Sequence, residues 1–104
     1  MTIEELLNTN GNSVVRTGKE HLEEFVRICE NHDVWWCGER NVKVPRTSLS
    51  FYSNNIEHDI GLSINIRNTY KSFVFVKADL PGTIEYEDLI SEQPIAFDHF
   101  DLFL

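Results

Sequence analysis

Residues 60–76, IGLSINIRNTYKSFVFV, decide the fold class. Ile60, Leu62, Ile64 and Ile66 alternate with Gly61, Ser63 and Asn65, the period of two that suits a strand buried on one face. Arg67 to Lys71 is polar and reads as a connection. Phe73-Val74-Phe75-Val76 is a continuous apolar run, which reads as a strand covered on both faces. Two strands this close in sequence suit antiparallel pairing, because a parallel pair needs a long crossover.

On the N-terminal side, residues 17–31, TGKEHLEEFVRICEN, carry the clearest helix. Leu22, Phe25, Val26 and Cys29 recur at spacings of three and four, while Glu20, Glu23, Glu24, Arg27 and Glu30 take the other face. Thr17 with Glu20 fits a capping box, and the helix is expected over 18–31. Thr2 with Glu5 repeats that signature ahead of Ile3, Leu6 and Leu7, which predicts a short helix over 3–8. Asn10 to Ser13 is a turn by composition, and Val14-Val15 a short strand. Val34-Trp35-Trp36 reads as a strand stopped by Cys37-Gly38, with Val42 to Val44 extending the pairing before Pro45. Leu49, Phe51 and Tyr52 suggest another short strand, followed by a turn at Asn54-Asn55.

Toward the C-terminus, Pro81-Gly82 marks a turn. Ile84 and Tyr86 alternate with Glu85 and Glu87 as an edge strand ending near residues 88–90, with a single helical turn there as the alternative. The expected fold is α+β: one domain over 1–104, with one main amphipathic helix packed on a four- to five-stranded, mainly antiparallel sheet. Residues 91–104 form a tail with Ile95, Phe97, Phe100, Leu102 and Phe103 among Asp98, His99 and Asp101. Such a tail is too apolar to be left in water. It either docks back on the domain or is held for a partner.

Seventeen acids face nine bases, a net charge of −8. Residues 1–78 are nearly balanced. Residues 79–104 hold Asp79, Glu85, Glu87, Asp88, Glu92, Asp98 and Asp101 and no base. Phosphate-backbone binding needs clustered Lys and Arg, so direct nucleic-acid binding is disfavoured, and an acidic end suits a basic protein surface. No apolar run approaches a bilayer span. MTIEELL lacks the basic flank of a signal peptide, and two cysteines make no disulfide scaffold, so the cytoplasm is the expected compartment.

Chemistry-bearing patterns are incomplete. Gly18-Lys19 would need Gly at 13 and Ser or Thr at 20 for a phosphate loop, and those positions hold Ser13 and Glu20. Asn8, Asn10 and Asn12 have calcium-loop spacing, but Ser13 and Lys19 stand where Gly and Glu are required. Cys29, His32 and Cys37 could supply three zinc ligands, at a spacing that matches no standard finger, and Cys29 falls on the apolar stripe of its helix. No metal or cofactor is therefore expected. Cys37 with His58 or His99 leaves a small enzyme or ligand-binding domain as one alternative, and a structural homodimer with the tail packed across it as another. Trp35 and Trp36, adjacent on a strand, point to opposite faces. Either both are buried, one under the helix and one under the tail, or one lies on an open face.

The run from Val15 to Ile90 resembles small phage and prophage accessory proteins. The resemblance rests on a helix KEHLEEFVRICENH, an aromatic strand with a nearby glycine, VWWCGER, and a closing TIEYEDLI. It implies a stoichiometric binding protein, among them anti-CRISPR-like inhibitors that occupy a host nuclease or its partner surface, and it carries over no functional residue. The 14-residue tail departs from it. Taken with the charge map, the expected function is a non-enzymatic protein-binding module, a monomer or homodimer, that blocks a basic nucleic-acid-binding surface of a host enzyme. Glu85, Glu87, Asp88, Glu92, Asp98 and Asp101 would supply charge, and Trp36, Phe97 and Phe100 would serve as anchors.

Overall fold

A computed structural model describes residues 1–91. The chain runs α1 (Ile3–Asn8), β1 (Gly11–Arg16), α2 (Gly18–Asn31), β2 (Trp35–Trp36), α3 (Arg46–Ile56), a 3-10 turn (Glu57–Asp59), β3 (Ile60–Arg67), β4 (Tyr70–Lys77), β5 (Ile84–Glu85) and α4 (Tyr86–Ser91). The fold is α+β, with the strands in one sheet of order β2-β4-β3-β1-β5.

β3 is the central strand because it offers the longest regular apolar face. Ile60, Leu62, Ile64 and Ile66 are all at most 2% exposed. In the antiparallel register, Leu62 faces Val15 of β1 and Phe75 of β4, and Ile64 faces Ser13 and Phe73. Leu22, Phe25, Val26 and Cys29 of α2 close over this face, joined in one core by Ile3, Leu6 and Leu7 of α1, Leu49 of α3, and Tyr86 and Leu89 of α4. The apolar faces of all four helices thus share one core with one face of the sheet. The other face, with rows such as Val14–Ser63–Val74 and Arg16–Gly61–Val76, has no helix of the described residues contributing to it.

Helices α1 and α2 both begin where the sequence suggests, but only α1 is capped in the expected way. The Glu5 amide donates to Thr2 Oγ1 at 3.1 Å and the Thr2 amide to Glu5 Oε1 at 2.8 Å, a complete capping box. At α2 the box does not form. Thr17 already has helical backbone angles, and its hydroxyl donates to the carbonyls of Gly18 at 2.9 Å and Ile60 at 3.3 Å, tying the helix start to β3.

The sheet is mainly antiparallel, as expected, with parallel pairing at its rims: β1–β3 and β3–β4 are antiparallel, whereas β2 runs parallel to β4 and β5 parallel to β1. Three expectations are corrected. Leu49, Phe51 and Tyr52 are not a strand but lie in α3, which also absorbs the turn expected at Asn54-Asn55. Its apolar spacing is Leu49, Tyr52 and Ile56, a helical face packed on the core, while Phe51 points outward at 60% exposed. Residues 42–44 form no strand. Instead Glu30, buried on α2, accepts the Val44 amide on Oε2 at 2.8 Å and an Arg27 guanidinium N–H on Oε1 at 2.9 Å, so its carboxylate pins the loop to the helix. The expected edge strand ends after Glu85, and Tyr86 begins a helix, as the alternative reading had it.

Gly61 marks the tightest approach in the sheet. A Cβ there would lie 2.1 Å from the Val15 carbonyl oxygen and 2.9 Å from Ala78 Cβ, the residue at which the chain leaves β4 to cross toward β5. Both of those neighbours are buried, so neither yields cheaply. Gly61→Ala is expected to lower the urea midpoint by an amount equivalent to about 2 kcal/mol at unchanged slope. Glu30→Ala leaves the Val44 amide without its partner and is expected to cost about 1–3 kcal/mol, with Glu30→Gln losing less because its amide oxygen still accepts that N–H; paired urea titrations measure the difference.

Candidate protein-interaction site

The acidic C-terminal part of the described chain is positioned by one tyrosine. β5 adds Ile84 beside Val15 and Glu85 beside Arg16, after which the chain turns into α4. Tyr86 is 1% exposed. Its ring packs 5.0 Å from Phe25 and 5.2 Å from His21, centroid to centroid, and its hydroxyl donates to Glu24 on the outer side of α2. That contact ties the first residue of α4 to the second turn of α2. Glu87 and Asp88 follow it on α4, both exposed, and Glu24 is exposed on α2 with Glu20 one helical turn before it. Carboxylates at the first turn of a helix also lie where the backbone amides favour negative charge.

Glu85 has a different environment. Its carboxylate accepts Arg16 Nε at 2.9 Å and a second N–H from the same guanidinium. Arg16 also donates from Nη1 to the Ala78 carbonyl at 2.7 Å and lies 3.6 Å from Asp59. The Glu85 hydrogen bond, with the neighbouring acids, holds the Arg16 guanidinium above its ordinary pKa. Glu85 is therefore a member of an internal ion cluster that fastens β1, β5 and the chain crossing from β4. Its charge is already matched.

Trp36 lies on the core side of β2 and is half-buried, edge-on to Tyr52 at 6.1 Å and to Phe75 at 5.7 Å, while Tyr52 and Phe75 stack at 4.5 Å. Trp35 faces the opposite side, also half-buried, with its indole N–H donated to Asp33. Glu92, Phe97, Asp98, Phe100 and Asp101 lie outside the described residues, as does the expected docking of the tail. Of the nine residues singled out, the structure brings Glu87 and Asp88 together on an open surface, pairs Glu85 internally, and sets Trp36 in an aromatic cluster on the other flank.

Cys29 is wholly buried, and burial raises its thiol pKa well above the ordinary value. Cys37 is exposed, and His32 spends Nδ1 on the Ile28 carbonyl at 2.9 Å. Among the described residues no group of three or more His, Cys, Asp or Glu side chains is arranged to hold a metal ion, and no helix is long and apolar enough to cross a membrane. Sequence reasoning missed Glu20 and Glu24 as companions of the C-terminal acids. Their spacing of four on α2 put them on one stripe, but nothing local said that α4 would lie beside it. No protein-family model, no curated protein and no solved structure matches this chain.

Burial and the Glu24 carboxylate both hold the Tyr86 hydroxyl protonated, raising its pKa above the usual tyrosine value. A raised folded-state pKa contributes stability that is complete below about pH 10, the unfolded value, and is lost as pH rises above it. Tyr86→Phe is expected to cost about 1.5 kcal/mol at neutral pH, and the gap to wild type should close above about pH 10; denaturant melts across pH 7 to 11 measure it.

Proposed function

We propose that this chain is a non-enzymatic protein-binding module that covers a basic, nucleic-acid-binding surface of a host enzyme in the cytoplasm, in the manner of a phage-encoded inhibitor. The observation that supports this reading is the Tyr86–Glu24 contact, which ties α4, with the exposed Glu87 and Asp88, to α2, with the exposed Glu20 and Glu24. Glu92, Asp98 and Asp101 follow in the sequence with no intervening base. Carboxylates so grouped compete with phosphate for Lys and Arg on a partner, and they steer encounter over distances set by the ionic strength. A partner surface built for a polyanion is the natural complement. Rim charges of this kind act mainly on association rate and its salt dependence.

The test is affinity capture from bacterial lysate, with Glu87→Lys/Asp88→Lys beside wild type, followed by nucleic-acid binding of the captured protein. The reading expects a basic nucleic-acid enzyme held by wild type, displaced from its nucleic acid, and bound about tenfold more weakly by the double variant at low salt. A partner bound equally by both proteins and indifferent to salt would remove the electrostatic basis.

A further inference from the structure

α2 and α3 leave a hollow of about 260 Å³ between them, and it runs against the acidic character of the chain. Leu22 and Leu49, both buried, give it an apolar base. Around them stand Lys19 of α2 and Arg46, Ser50, Ser53 and Asn54 of α3. Residues 46, 50 and 53 are spaced by four and three, so one face of α3 supplies three of these polar groups. The side chains of Lys19, Ser50, Ser53 and Asn54 have no hydrogen-bond or ion-pair partner among the described residues. Glu23 is the one acid lining the hollow. Its Oε2 accepts Arg46 Nε at 3.1 Å and an Arg27 N–H at 3.4 Å, so two guanidinium groups share its single charge. Glu20 and Glu24 lie about 100° further round α2, and Glu24 is bonded by Tyr86 of α4.

We propose that this hollow binds the phosphate group of a small monoester with an apolar body. The Arg46–Glu23 bond carries much of the argument. A guanidinium has two edges that each offer a pair of N–H donors, and with Nε on Glu23 the Nη1–Nη2 edge stays free for a second acceptor. Glu23 is thus a positioning residue for Arg46 rather than a competitor for the ligand. Lys19 adds an unpaired ammonium, and the two serine hydroxyls and the Asn54 amide add neutral donors. A phosphate monoester is close to a dianion at neutral pH, which two bases match, and its three terminal oxygens use more of these donors than a carboxylate could. The leucine base asks for an apolar body on the ester. The volume lies below the about 300 Å³ at which pockets for drug-sized molecules begin, so that body is small. Gly18-Lys19 still makes no phosphate loop, since the other donors come from α3. The inference goes beyond the interaction reading, which rests on the acids of α2 and α4 and uses none of these groups.

Amide NMR titration of the full-length chain tests it, at about 0.15 M salt so that loose attraction to exposed charges is screened. The probes are phenyl phosphate, inorganic phosphate, phenol and a short single-stranded oligonucleotide. Phenyl phosphate is expected to saturate with a Kd on the order of 1 mM, as suits a ligand of about eleven heavy atoms, with its shifts gathered on residues 19–23 and 46–54. Inorganic phosphate lacks the apolar body and phenol lacks the charge, and each is expected to bind at least about tenfold more weakly. Lys19→Gln/Arg46→Gln changes two exposed side chains and is expected to weaken phenyl phosphate about tenfold, with the β3 amide signals unmoved. Lys77→Gln, on β4 and outside the hollow, is expected to leave the affinity unchanged. Equal binding by the double variant, or shifts scattered over the basic residues without saturation, would overturn the proposal. Inorganic phosphate bound as tightly as the ester would overturn the apolar part of it. Tighter binding of the oligonucleotide through the same residues would overturn the assignment to a small ligand.

Discussion

The burial of one face of β3 is the constraint on which the remainder of the molecule depends. Ile60, Leu62, Ile64 and Ile66 each remove their side chains from water together, and a four-residue apolar row of this kind is stabilised only if every neighbouring element brings a matching surface. β1 and β4 supply flanking rows, α2 supplies the lid, and the two-residue strands β2 and β5 extend the sheet just far enough to seat Trp36 and Ile84 against the edges of that core. The fastenings that look local serve the same end. Thr17 ties α2 to the Ile60 carbonyl, Glu30 pulls Val44 into the core, and Arg16 binds the crossing from β4 at Ala78.

The interaction surface follows from this packing. α4 is only six residues long, and an isolated helix of that length is not stable in water. It is held because Tyr86 and Leu89 enter the core and the Tyr86 hydroxyl meets Glu24. The acids on its outer side are thus carried on a rigid base. Glu85, one residue earlier, points to the opposite face of the sheet and is consumed by Arg16. Adjacent residues in one acidic run consequently have unlike roles, because the boundary between β5 and α4 falls between them.

What the sequence made legible was whatever depends on near neighbours. The 60–66 alternation and the 22–29 stripe are periodic over several turns or residues, and the structure has β3 and α2 where those patterns place them, with α2 over the expected 18–31. The misreadings share a cause: short windows. Leu49 and Phe51 look like alternation until Tyr52 and Ile56 are read with Leu49 as one helical face. Val42 to Val44 looks like a strand because a buried glutamate on another element is what satisfies its backbone. Parallel pairing of β2 with β4 and of β5 with β1 was invisible, since two-residue strands carry no period at all. For the candidate site, the C-terminal acids were legible from charge alone. The tie between α4 and Glu24 of α2 was not, because it is made by Tyr86, 62 residues away in the chain.

The strand order has an entropic corollary. Only β3 and β4 are joined by a tight turn, from Arg67 to Tyr70. Every other pairing closes a large loop: β1 meets β3 from residue 16 to residue 61, β2 meets β4 from 36 to 73, and β5 meets β1 from 15 to 84. The cost of closing a flexible loop rises only with the logarithm of its length, so these closures cost nearly the same despite their different spans. They differ in what offsets that cost. The β1 closure is rewarded by a six-residue ladder and the burial of Val15, whereas β2 and β5 gain two residue pairs each and rely on the helices that follow or precede them. The rims of the sheet are therefore its least strongly held parts, and the central three strands the part that opens last.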